Sequence, residues 1–283
     1  CTIPSGNSGE VPAGDSLVVL TDTAIVVNGT LTVNGTLNLG GGNVGTNSGG
    51  TIINNNIIEH RTSGEGLKNH GTLTNNGSLL VGYGATLGNY NVFTNAGNLT
   101  VYGAFNNLWI GTETYYASLI NTGTGTLDVI KSGSNPGANF FASVKTSMTN
   151  QGTMTISAES TMSVRGSLTN HGTLTNKGTF SANSLTNSST GTLYNDLYAD
   201  WTCFDTNASL INEGLFTNRY YLTLIDLCIF TNKSTGSFSN TGITYVGQKK
   251  AEFSWDQSLG GSLVNEGSVS NTGSIILANN EWS

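Results

Sequence analysis

One short unit recurs along most of this chain and restricts what it can fold into more than any other feature. It reads Asn-x-Gly followed by Thr or Ser and an apolar residue. Copies include Asn69-His70-Gly71-Thr72-Leu73, Asn150-Gln151-Gly152-Thr153-Met154, Asn170-His171-Gly172-Thr173-Leu174 and Asn265-Glu266-Gly267-Ser268-Val269. Val27-Asn28-Gly29-Thr30-Leu31 and Val33-Asn34-Gly35-Thr36-Leu37 are variants of it. Asn and Gly both tolerate positive φ and Asn bonds its own backbone, so the unit predicts a bend. The Thr-apolar-Thr that follows, as in Thr173-Leu174-Thr175, has the period of a half-buried strand.

The spacing of the bends decides between a hairpin fold and a stack. Asn69, Asn95 and Asn121 follow one another at one coil-like interval, as do Asn187 and Asn212, and Asn150 and Asn170. Two-residue Asn-Gly loops would suit a sandwich or barrel of hairpins, but most copies carry a spacer residue. Intervals of about 20 to 26 residues fit a coil of three short strands and three turns. The expected fold is therefore all-β, a single right-handed parallel β-helix of roughly 11–12 coils over residues 1–283, a rod about 50 to 60 Å long. Loop insertions are expected at 40–50, 131–139 and 194–206.

Composition agrees. Charged residues make up 10% of the chain and Gly contributes 38 positions, too little charge for solvated helix faces. Apolar runs such as Leu17-Val18-Val19-Leu20 speak against disorder. A net charge of −7 with only 10 Lys and Arg leaves nothing to neutralise a phosphate backbone, so no nucleic-acid partner is expected. No apolar run approaches the roughly 20 residues that span a bilayer, so no transmembrane segment is expected.

The repeats at Leu67 to Leu79 and Leu168 to Phe180 resemble those of filamentous-haemagglutinin-type adhesins and autotransporter passengers. The resemblance covers most of residues 25–276. It implies a right-handed β-helix at a cell surface and speaks to fold more than to function.

Cysteine usage adds to the extracellular reading. Cys203 and Cys228 are one coil apart, and outside the cell a disulfide is favoured over two buried thiols. Cys1 is left over. A chain opening on Cys is similar to a processed bacterial lipoprotein, so a lipid anchor or an intermolecular link through Cys1 is one expectation and an ordinary cysteine the other. Asn-x-Ser/Thr sequons stand at Asn28, Asn34, Asn76, Asn98, Asn187, Asn207 and Asn232, glycosylated only where the organism modifies such sites.

Chemistry is sparse. His70 and His171 occupy the spacer of Asn-x-Gly and should face solvent, and Glu59-His60-Arg61 reads as a solvated turn. Asp196, Asp200 and Asp205, with Trp201, Tyr194 and Tyr198 nearby, are the one cluster that could contact a glycan, cleave one or bind Ca²⁺. Trp201, Asp200 and Tyr198 are the named glycan contacts. No enzyme, cofactor or resident metal is expected. Thr72/Thr74 and Thr173/Thr175 hint at an ice-binding ladder. No polar cap flanks the repeats, and uncapped solenoid ends invite head-to-tail contacts. The leading expectation is a cell-surface filament subunit whose partners are copies of itself. The alternatives are a monomeric adhesin stalk, or a protein that binds or degrades host or biofilm glycans.

Overall fold

A computed structural model describes residues 1–108, 117–131, 139–143, 145–203, 208–225, 227–247 and 261–278. Short strands follow one another around three faces. One coil runs through Ala24–Val27, Thr30–Val33 and Thr36–Gly40, the next through Asn43–Thr46, Thr51–Asn54 and Ile57–His60. Each strand lies parallel on its equivalent one coil earlier: Ala24 faces Asn43, Thr30 faces Thr51 and Thr36 faces Ile57. The result is a parallel β-solenoid, with no helix among the described residues.

Among the described residues the third face is a 12-stranded sheet with one strand from each coil, which agrees with the expected 11–12 coils. The other two faces join into a 23-stranded sheet because Thr161–Asn170 and Thr179–Asn187 run unbroken through the corner between them. The corner is turned by a register shift between Val164 and Ser167.

The typical strand, such as Thr72–Asn75 (Thr-Leu-Thr-Asn), alternates outward and inward, and its second and fourth residues are buried. The second is apolar and, with the apolar residues that hold some of the fourth places, builds a continuous core from Val11 to Val246. Rings pack within it: Phe105 stacks on Phe140 at 4.6 Å, and Phe216 lies tilted against Phe238 at 5.2 Å.

The fourth residue is the surprise. The Asn of Asn-x-Gly is not a solvated turn residue but a buried strand end. From Asn54 to Asn265 on the second face, each side-chain Nδ2 donates to the Oδ1 one coil later at 2.7 to 2.9 Å. The third face repeats this from Asn176 to Asn271, and the first from Asn69 to Asn107. Spare amide protons reach backbone carbonyls at the next bend, as Asn170 does to Gly172 and Thr192. A buried amide is tolerable only when satisfied in this way.

The ladders also correct the spacing. Asn95 stacks on Asn75 rather than Asn69, so that coil is 20 residues long, and coils range from 17 residues (Asn170 to Asn187) to 33 (Asn232 to Asn265).

The glycine has a different reason from the one expected. Gly97 and its equivalents do not adopt positive φ; a Cβ on Gly97 would lie 2.0 Å from the Gly77 carbonyl oxygen of the coil before. Glycine is needed because two backbones touch.

Two of the expected loops are regular structure. Residues 40–50 contain the strand Asn43–Thr46, with Val44 in the core, and 194–206 contain the end of Thr192–Asn195 and all of Asp200–Cys203. Of the third, residues 132–138 lie outside the described residues.

Candidate functional site

The acidic and aromatic segment singled out in the sequence lies where the third face turns into the first. Asn195 ends one strand and Asp200 begins the next, so residues 196–199 form the turn. Alternation then fixes every side chain. Asp200 points outward, Trp201 inward, Thr202 outward and Cys203 inward. Trp201 is thus buried, packed edge-on to Phe180 at 4.6 Å and against Phe216 at 5.1 Å. This corrects its assignment as a glycan contact, because an indole sealed in the core cannot reach a sugar. Alignment of Asp-Trp-Thr-Cys with Thr-Leu-Thr-Asn puts Trp201 in the apolar position and would have shown this.

Tyr198 and Asp200 do face solvent. Tyr198 sits in the turn at φ 66° and is 81% exposed. Register brings to it three residues that the sequence reading missed. Arg219 follows Asn218 as Asp196 follows Asn195, and the two pair at 3.4 Å. Tyr220 lies 5.6 Å from Tyr198, and Tyr221 is the ladder neighbour of Asp200. Tyr220 and Tyr221 pack edge to face at 4.4 Å. On its other side Asp200 faces Thr179, so neither neighbour is an acid. Tyr194 lies outward on the third face between Thr175 and Thr217. Asp205 lies outside the described residues. Among the described residues no three His, Cys, Asp or Glu side chains gather to hold a metal.

Cys203 and Cys228 form a disulfide, with Cα atoms 5.9 Å apart. They are not ladder partners: Cys203 faces Leu224, and Cys228 lies at the bend before Ile229. The bridge therefore ties a strand end to the following corner, closing a separation of 25 residues. Reduction is expected to cost about 3 kcal/mol by the loop-closure argument. Chemical denaturation with and without reductant measures it; coincident curves would show that the bridge adds nothing. Cys1 has an exposed thiol, and its terminal amine donates to the Ala24 carbonyl at 2.8 Å.

The sequons divide sharply. Asn187 and Asn232 are fully buried inside the second-face ladder, which rules out a glycan on either in the folded chain. Asn28 and Asn34 are half-buried and bonded to Asn47, and to Glu10 and Asn55. Asn76 and Asn98 are exposed, and Asn207 lies outside the described residues.

His60 is the other correction. Its alternation in Ile57–His60 turns it inward between Leu39 and Val81, so it is a core residue rather than a solvated turn. Nε2 sits 2.9 Å from the Gly64 carbonyl and 3.0 Å from the Gly66 N–H, while Nδ1 has no partner among the described residues. Burial pushes its pKa below the ordinary histidine value, only partly opposed by the Gly64 carbonyl. The unfolded chain therefore binds a proton more readily, and the stability held above the ordinary histidine pKa is lost as pH falls through it. Lowering the pH from 7.5 to 5.5 should lower the Tm, and His60→Leu should remove that dependence; equal slopes for both proteins would contradict it.

His70 stacks on Tyr90 at 4.4 Å, and His171 is exposed. Thr72/Thr74 lie on the second face and Thr173/Thr175 on the third, so they do not form one ladder.

No protein-family description and no curated protein matches this chain. A solved structure, the crystal structure of a TibC-catalyzed hyper-glycosylated TibA fragment, aligns with 99% of this chain and 96% of its own at 17% identity and a TM-score of 0.35. The fold assignment rests on the strand pairing itself.

Proposed function

We propose that the chain is a non-enzymatic structural element of a cell surface, the stalk of an adhesin. The observation that carries this reading is the uninterrupted core. Side chains fill the interior coil after coil, leaving the outer faces for contact. The Cys203–Cys228 disulfide supports an oxidising, extracellular setting.

A filament of stacked copies is the second reading, supported by the parallel seating of each coil on the one before it.

Sedimentation over a wide concentration range, with negative-stain microscopy, separates the two. Single short rods throughout fit the stalk, and rods that lengthen with concentration fit the filament. Surface labelling of intact cells before and after protease shaving tests the location; a signal found only after lysis overturns the reading.

A further inference from the structure

Two successive coils build an exposed aromatic corner that the stalk reading does not use. Tyr198 occupies a left-handed turn position, as Gly14 and Gly84 do in other turns and as Asp22, Lys145, Glu159 and Leu227 also do. A side chain with a Cβ is disfavoured there, and an almost fully exposed tyrosine gains no burial in return. Its ring extends the Tyr220–Tyr221 pair into a platform. The neighbouring residue Leu197 is 59% exposed as well.

Polar groups frame that platform. The Asp200 carboxylate, beside Tyr221, accepts no hydrogen bond from a described residue. The Asp196–Arg219 pair lies across the turn, and Lys177 occupies the equivalent corner one coil earlier. The charges of Lys177, Arg219, Asp196 and Asp200 cancel.

We propose that Tyr198, Tyr220 and Tyr221, with Asp200 and Arg219, form a binding site for a neutral glycan. A sugar presents an apolar C–H face, which stacks on tyrosine, and a rim of hydroxyls, which bond carboxylate and guanidinium. A polyanionic glycan is disfavoured, because the corner has no surplus positive charge and the chain carries −7. The inference is independent of whether the rod is a stalk or a filament subunit.

Affinity electrophoresis of the intact, oxidised protein tests it, in gels containing soluble glucan, galactomannan, galactan or glycol chitin, with alginate as the polyanion. Retardation by at least one of the uncharged polymers is expected. Tyr198→Gly should weaken it about tenfold, and Tyr198→Phe should keep it. Tyr198→Gly also relieves the backbone, so its Tm should not fall, which separates lost binding from lost folding. Tyr83→Ala, at an exposed tyrosine elsewhere on the rod, should leave retardation unchanged. Retardation by none of the uncharged polymers, by alginate alone, or equally in Tyr198→Gly would overturn the proposal.

Discussion

Replacing Gly97 with alanine should destabilise the fold by about 3 kcal/mol or more, close to the upper end for an overpacked site. The added Cβ would meet the Gly77 carbonyl oxygen at 2.0 Å and the Asn76 carbonyl carbon at 2.7 Å. Neither belongs to a side chain that could swing away. Relief requires the two coils to separate where Ala96 and Gly97 donate to Asn75 O at 2.7 and 2.9 Å and Asn98 donates to Gly77 O at 2.8 Å. The Tm should drop by roughly 6 to 12 °C. Amide exchange at Ala96, Gly97 and Asn98 should accelerate more than at distant coils, because a solenoid is stabilised by nearest-neighbour contacts. Gly123→Ala is the matched control. It lies in another Asn-x-Gly unit, nothing stands within 4 Å of its added Cβ, and its φ is not positive. Its effect should stay within about 0.5 kcal/mol. Equal effects for the two would remove the backbone-contact explanation.

The second large effect is expected inside an asparagine ladder. Asn170 accepts from Asn150 at 2.7 Å and donates to Asn187 at 2.9 Å. Asn170→Val keeps a residue that the same strand position carries at Val33, but it leaves the Asn187 Oδ1 buried without that donor. An orphaned buried polar group in a coupled network should cost about 3 kcal/mol. The contrast is Asn107, which ends the short first-face ladder against Ala142 with its Nδ2 already without a partner among the described residues. Asn107→Val removes an amide that is itself half-satisfied, and the loss should be within about 1 kcal/mol. Urea denaturation of the two variants decides the matter. Similar losses at both positions would mean that the ladder is held by shape and not by its hydrogen bonds.

Much of the architecture is legible in the sequence because one motif carries two periods at once. Thr-Leu-Thr sets the alternation of a strand, and its return after about 20 residues sets the coil. The asparagine escaped that reading for a physical reason. In isolation Asn beside Gly is turn chemistry, and only neighbours at the same height in adjacent coils can satisfy a buried amide. That satisfaction depends on register, which coils of 17 to 33 residues conceal. The corner at Tyr198 was half legible for the same reason. Tyr198 and Asp200 were visible within one segment, whereas Arg219, Tyr220 and Tyr221 join them only through the next coil. Trp201 and His60 read as loop and turn residues in the sequence because their strands are only four residues long, yet each holds an inward place in its strand.

Every inward amide described above points its N–H the same way, toward the coil that follows in the chain. Side-chain dipoles that alternate cancel; these add. The asparagine column from Asn54 to Asn265 therefore behaves as a line of small aligned magnets does, with its amide hydrogens toward the later coils and its carbonyl oxygens toward the earlier ones. The rod has an electrical direction as well as a geometrical one.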